Sequence, residues 1–136
     1  MHPAAPPLTA LKQVDTRLVE DIRRKEEAGD ETGEERMYLL CKTCGNAITS
    51  ESYCMEVNGS HRHTFMNPRG IVFNIGCFSS AGGCLIIGVP TTEYTWFPGF
   101  TWCCVICSQC LSHLGWRYQS GSGGFFGLIL DQLSRQ

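Results

Sequence analysis

Residues 102–116 read WCCVICSQCLSHLGW, and the fold turns on the cysteine pair inside this stretch, Cys107-Ser108-Gln109-Cys110. Two residues between cysteines let a tight turn aim both sulfurs at one point. A second pair with the same spacing stands early in the chain, at Cys41-Lys42-Thr43-Cys44. One such pair alone would serve equally as a redox motif, whereas two supply four thiolates, the full tetrahedral shell of one zinc ion. Gly45 follows the first knuckle and suits the left-handed turn these sites need. A closed shell leaves no position for water or substrate. The expected ion is therefore structural and ties early strands to late ones.

Trp102 and Trp116 flank the second knuckle, which acts as a hinge turning one aromatic strand back toward the other. Upstream, TEYTWFPGFTW (92–102) places Trp96 and Trp102 around Pro98-Gly99. In a tight two-residue hairpin Trp96 would lie opposite Thr101, leaving Trp102 on the other sheet face. Pro-Gly also favours a type II turn, whose twist suits tight hairpins poorly. A wider turn or a bulge brings both indoles to one side. Downstream, Trp116 and Tyr118 are two apart in LGWRYQ (114–119) and share a face. The three tryptophans can wall a single box, or they can be three large core hydrophobes. The residues by themselves leave both open.

Around these motifs, YCMEV (53–57), IVFNIGCF (71–78), CLIIGV (84–89), TWCCVI (101–106) and FFGLI (125–129) alternate with glycine- and proline-rich punctuation. They predict antiparallel strands and a mostly β globule over residues 37–136. Of the nine cysteines, Cys54, Cys77, Cys84, Cys103 and Cys104 lie outside the knuckles and are expected to pack as small hydrophobes. His61 and His63, in the turn-like SHRH, stand beside a sulfur shell already complete.

Residues 1–36 carry nine acidic and six basic side chains, against four and five in the remainder. Within them, Leu8, Leu11, Val14, Leu18 and Ile22 predict an amphipathic helix over 8–27, and AGDETGEER (28–36) reads as a linker. The formal net charge of −2, without a basic cluster in the globule, gives no footprint for nucleic acid. No apolar run approaches the roughly 20 residues of a bilayer span, and the first residues lack the features of a secretory signal. Nine cysteines, an odd number, then point to metal binding and free thiols in a reducing, cytoplasmic setting.

CKTCG, FMNPRGIVF, LIIGVPTTEYTWFPGFTW, CSQCLSHLGWRYQ and FFGLI, in that order from about Leu39 to Leu133, resemble the CULT domain, the thalidomide-binding domain of cereblon, and especially its single-domain relatives. WFPGFTW followed by C-x-x-C and SHLGW is the specific part. The resemblance implies a β-tent fold, two antiparallel sheets meeting at an angle and pinned by the zinc. It also implies a cage of Trp96, Trp102 and Trp116 for cyclic imides, with Tyr118 as aromatic floor. Imide hydrogen bonds would come from the backbone just before and at the first cage tryptophan, at Tyr94 and Trp96, with Thr95 between them also counted in the ligand site, and Asn67 and Pro68 would border the pocket. The implied ligands are glutarimide and thalidomide-type compounds, peptides ending in a cyclic imide, and uracil-like compounds. Tyr94 and Arg69 stand where the animal receptor has histidines. The 36 residues before Met37 are too few for the Lon-like domain of full-length cereblon, so docking on a ubiquitin-ligase adaptor is not expected.

Two other functions compete with an imide-binding module. R-specific methionine sulfoxide reductases share the β-tent and the double C-x-x-C, and would need Cys103 or Cys104 as a low-pKa nucleophile. A methyl-ammonium reader would use the same box by cation–π attraction, with Glu93 as the nearby carboxylate.

Overall fold

The alternating apolar runs become strands wherever a partner lies within reach. In the computed structural model, which describes residues 37–136, these are β1 Tyr38–Cys41, β2 Ala47–Ser50, β3 Arg62–Met66, β4 Val72–Phe78, β5 Cys84–Thr91, β6 Thr101–Cys107, β7 His113–Ser120, β8 Gly123–Ile129 and β9 Leu133–Arg135. The segment 1–36, with its expected helix over 8–27 and its linker, lies outside the described residues. All pairings are antiparallel. They form a three-stranded sheet, β2-β1-β9, and a six-stranded sheet, β3-β4-β8-β7-β6-β5. The expectation of a mostly β protein with two antiparallel sheets holds. Among the described residues no helix is long and apolar enough to cross a membrane.

Two local readings change. YCMEV is not a strand: Ser50 accepts a hydrogen bond from the Ser52 amide and caps a single 3-10 turn over Glu51–Tyr53, after which Cys54 makes one isolated bridge to Phe78. A capped turn takes the backbone groups that a ladder would need. Conversely, part of SHRH is not turn: Arg62 and His63 begin β3, whose side chains alternate between exposed and half-buried along β4.

The six-stranded sheet buries both faces. Leu39, Cys41, Ile48, Phe78, Val105, Cys107, Leu114 and Leu128 form the core against the small sheet. Ile75, Cys77, Phe97, Trp116, Tyr118, Phe125 and Ile129 form a second core on the opposite face, as the period of two along β4, β6 and β8 requires. A bulge at Gly115 (φ 152) breaks that period in β7, so Leu114 joins the first core while Trp116 joins the second.

Gly83, in the turn before β5, lies directly against the backbone of β2. Its amide donates to the Ile48 carbonyl at 3.0 Å, and its own carbonyl accepts from the Ser108 amide at 2.9 Å. A Cβ here would collide with the Ala47 carbonyl oxygen and stand 2.6 Å from Ile48 Cα, both backbone atoms that cannot rotate away. Gly83→Ala is therefore expected to destabilise by about 3 kcal/mol, the upper end for overpacking, read as a shift in the urea midpoint. Gly121, where an added Cβ would meet nothing within 4 Å, is the control. Equal shifts for both alanine variants would show that the close approach is not limiting.

Candidate metal centre and aromatic cavity

The first knuckle follows β1 and the second follows β6, so each sheet contributes one pair of sulfurs. Cys41, Cys44, Cys107 and Cys110 bring their Sγ atoms within 4.8 Å of one another. Cys41 lies 3.6 Å from Cys110, and Cys44 lies 3.6 Å from Cys107. A tetrahedral shell with metal–sulfur bonds of about 2.3 Å puts sulfurs roughly 3.8 Å apart, so the four fit one ion. Gly45 has φ 80, the left-handed conformation expected after the first knuckle.

Hydrogen bonds tune the sulfurs. Ser112 Oγ lies 3.1 Å from Cys110 Sγ, and the Ser112 hydroxyl and amide stabilise the thiolate, bringing its pKa down to about 6. The Gln109 amide donates to Cys107 Sγ at 3.4 Å. Asn46 Nδ2 approaches Cys107 Sγ, Ser108 Oγ and the Gly83 carbonyl, which couples the shell to the contact between the sheets.

On the other face of the large sheet, Trp102 pairs with Tyr118 and Cys104 with Trp116 across β6 and β7. Directly opposed residues in an antiparallel pair share a face, so Trp102, Trp116 and Tyr118 converge. The loop 92–100 supplies the third indole by folding back over this face. Phe97, 1% exposed, is its anchor, with its ring 4.7 Å from Tyr118 and 5.0 Å from Phe125. The Phe100 amide donates to the Phe97 carbonyl at 3.0 Å, and Gly99 takes φ 91, so Pro98-Gly99 turns within the loop rather than joining strand ends. Trp102 Nε1 donates to the Glu93 carbonyl at 2.7 Å and pins the loop's other end.

The result is a cavity of about 340 Å³ lined by Asn67, Pro68, Tyr94, Trp96, Trp102, Trp116 and Tyr118, together with Phe73 and His113. Trp96 and Trp116 meet edge to face at 4.8 Å, and Phe65 stacks behind Trp96 at 4.9 Å. Asn67 Oδ1 accepts from the Arg69 and Ile71 amides and so shapes the bordering loop. Thr95 does not line the cavity, since its hydroxyl turns to the Phe97 amide and carbonyl. Tyr94, at φ 57 and 69% exposed, stands at the rim. Phe73 and His113 were not singled out in the sequence: Phe73 enters through the pairing of β3 with β4, and the His113 ring packs 5.0 Å from Trp116.

Among the described residues, neither the Tyr94 carbonyl nor the Trp96 amide has a hydrogen-bond partner. Tyr118 is 2% exposed, burial raises the pKa of its phenol, and its hydroxyl has no partner among the described residues either. Removing a buried, unpaired hydroxyl relieves its desolvation. Tyr118→Phe is accordingly expected to leave the free protein unchanged or stabilise it by up to about 1 kcal/mol, read by chemical denaturation. Marked destabilisation would mean that the hydroxyl is satisfied.

The remaining cysteines divide. Cys77, Cys84 and Cys103 are buried as expected and Cys104 is half-buried, but Cys54 is exposed at the end of its 3-10 turn. Neither Cys103 nor Cys104 lines the cavity, and burial raises both thiols. His61 and His63 are engaged with backbone carbonyls of the neighbouring turn, 3.1 Å from Met55 O and 3.0 Å from Val57 O respectively.

No family model matches the chain. It is similar to cereblon of Danio rerio, 34% identical over 85 residues, which is 60% of this chain and 20% of the relative. It is also similar to cereblon of Xenopus tropicalis, 34% identical over 87 residues, 59% of this chain and 18% of the relative. Cereblon of Drosophila virilis matches more of the chain, 25% identical over 124 residues, 83% of this chain and 19% of the relative. The chain thus spans about a fifth of the length of these curated relatives. Among solved structures, the Mis18 "Yippee-like" domain superposes with a TM-score of 0.52 at 10% identity, covering 75% of this chain and 96% of that one, a likeness of fold alone.

Proposed function

From the premise that the chain is a cereblon-like, CULT-domain protein, we propose that it is a non-catalytic binding module that holds a cyclic imide in the cavity of Trp96, Trp102 and Trp116. The observation that carries this reading is one cavity lined by three indoles and by Tyr94, where the Tyr94 carbonyl and the Trp96 amide are without hydrogen-bond partners among the described residues. A small imide ring has apolar carbons and one polar edge of two carbonyls and an N–H. Indole faces cover the carbons, while a backbone carbonyl accepts from the N–H and an amide donates to a carbonyl. A ring lacking that edge would leave those groups unpaired at a cost of about 1–3 kcal/mol, which is the source of selectivity. No carboxylate lines the cavity among the described residues, which weighs against a methyl-ammonium reader.

The ion we assign to the four-cysteine shell is zinc, on the chemistry of an all-thiolate tetrahedral donor set. It would hold the sheets together and leave the cavity's groups to do the binding. The test is a calorimetric titration of the metal-loaded protein with glutarimide and with its analogue methylated at the imide nitrogen. Saturable one-to-one binding of the first and weak binding of the second is expected. No binding by a folded, metal-loaded protein would overturn the ligand class.

A further inference from the structure

At the seam between the two sheets, away from the indole cage, a second cavity of about 170 Å³ is lined by Cys54, His61, Glu51, Arg62 and Arg135 beside apolar residues that include Phe78. Cys54 is the one exposed thiol outside the metal shell among the described residues. His61 Nε2 lies 3.7 Å from its Sγ.

The imidazole is held in a defined state. Its Nδ1 lies 3.1 Å from the Met55 carbonyl oxygen, a contact that requires Nδ1–H as donor, so the neutral ring presents the Nε2 lone pair to the Cys54 thiol. Phe78 braces the ring in a T-shaped contact at 5.1 Å. Gly76 leaves room for it, since a Cβ there would come 2.9 Å from Nε2. A nucleophile beside an oriented base is the arrangement that activates a thiol on demand. Partial desolvation by the walls of this cavity, with the Glu51 carboxylate, raises the Cys54 pKa although the residue is exposed, while Arg135 and Arg62 lower it. The resting species is therefore the thiol, and His61 is needed to take its proton. Glu51 is already paired with Arg135 at 2.6 Å, whereas Arg62 has no ion-pair partner among the described residues and is available to an incoming anion.

We propose that Cys54 and His61 form a thiol-exchange site for small disulfides that carry carboxylates. As the Cys54 proton passes to His61 Nε2, the sulfur electron pair attacks one sulfur of the disulfide. A new Cys54–sulfur bond forms, the original sulfur–sulfur bond breaks, and the second sulfur leaves as a thiolate that can recover the proton from the imidazolium. Cys54 is oxidised and half of the small disulfide is reduced, with no further reagent. The site is independent of the imide reading.

The test uses the full, metal-loaded chain with dithiobis(nitrobenzoate), whose released thiolate is coloured, and peptide mass analysis to locate the adduct. One fast equivalent on Cys54 is expected, absent in Cys54→Ser and slowed about a hundredfold or more in His61→Gln, the low end of general-base assistance. Arg62→Gln is expected to slow this anionic probe but not uncharged dithiodipyridine. A fast equivalent that survives Cys54→Ser, a Cys54 rate no greater than in the denatured chain, or an unchanged rate in a His61→Gln protein that keeps its metal would overturn the site. Should His61→Gln lose its fold, the comparison of folded with denatured wild type still decides. Equal slowing of both probes by Arg62→Gln would overturn the carboxylate preference.

Discussion

Cys107→Ser is expected to lower the metal content from about one ion per chain toward none and to abolish cooperative thermal unfolding. Cys107 is fully buried at the end of β6, 3.6 Å from Cys44 and within the Asn46 contacts that reach Gly83. Its sulfur is where the large sheet grips the first knuckle of the small one. Structural zinc in comparable all-protein shells contributes an apparent 10–16 kcal/mol or so, as large as the whole stability of an ordinary domain, about 5–15 kcal/mol. The first core, which the two sheets share, is small, and losing the ion should leave it insufficient. Calorimetric melting alongside elemental analysis checks this. A cooperative transition in a metal-free variant would mean that packing alone holds the sheets together.

Trp102→Ala is expected to weaken imide binding by about 30- to 1,000-fold, roughly 2–4 kcal/mol, while metal content and melting stay close to wild type. The choice of tryptophan matters. Trp116 is 9% exposed and packs against Phe73, Trp96 and His113, so truncating it would damage the core together with the cage. Trp102 is half-buried, has no ring partner among the aromatic contacts of the described residues, and is held by its Nε1 bond to the Glu93 carbonyl. It packs on the edge of the second core as a half-buried wall, without the ring contacts that tie Trp116 into it. Titration and melting of the same preparation separate the outcomes: retained affinity would remove the cavity from the binding reaction, and a collapsed melting temperature would return Trp102 to the core.

Much of the site could be read locally because its chemistry is local. A C-x-x-C spacing aims two sulfurs whatever lies around it, and Gly45 and Gly99 mark backbone conformations that few other residues tolerate. Trp116 and Tyr118 share a face because strand geometry has a period of two. Even the unsuitability of Pro98-Gly99 for a tight hairpin was legible, and the loop 92–100 is accordingly wide. YCMEV failed for an equally physical reason: its apolar alternation fits a strand, but a serine cap and a single bridge took its backbone first.

What the sequence determined by itself, then, was the mostly β class, the two sulfur pairs and the set of aromatic residues, each carried by spacing over a few positions. Tertiary structure decided which sulfurs meet, that Trp102 stands opposite Tyr118, that Phe97 plugs the core so that Trp96 can face the cavity, and that Phe73 and His113 complete the lining. It also decided that Cys54 lies beside His61 in the open rather than in the core. These are matters of register and of loop closure over long separations, where a slip of one residue sends every side chain of a strand to the opposite face.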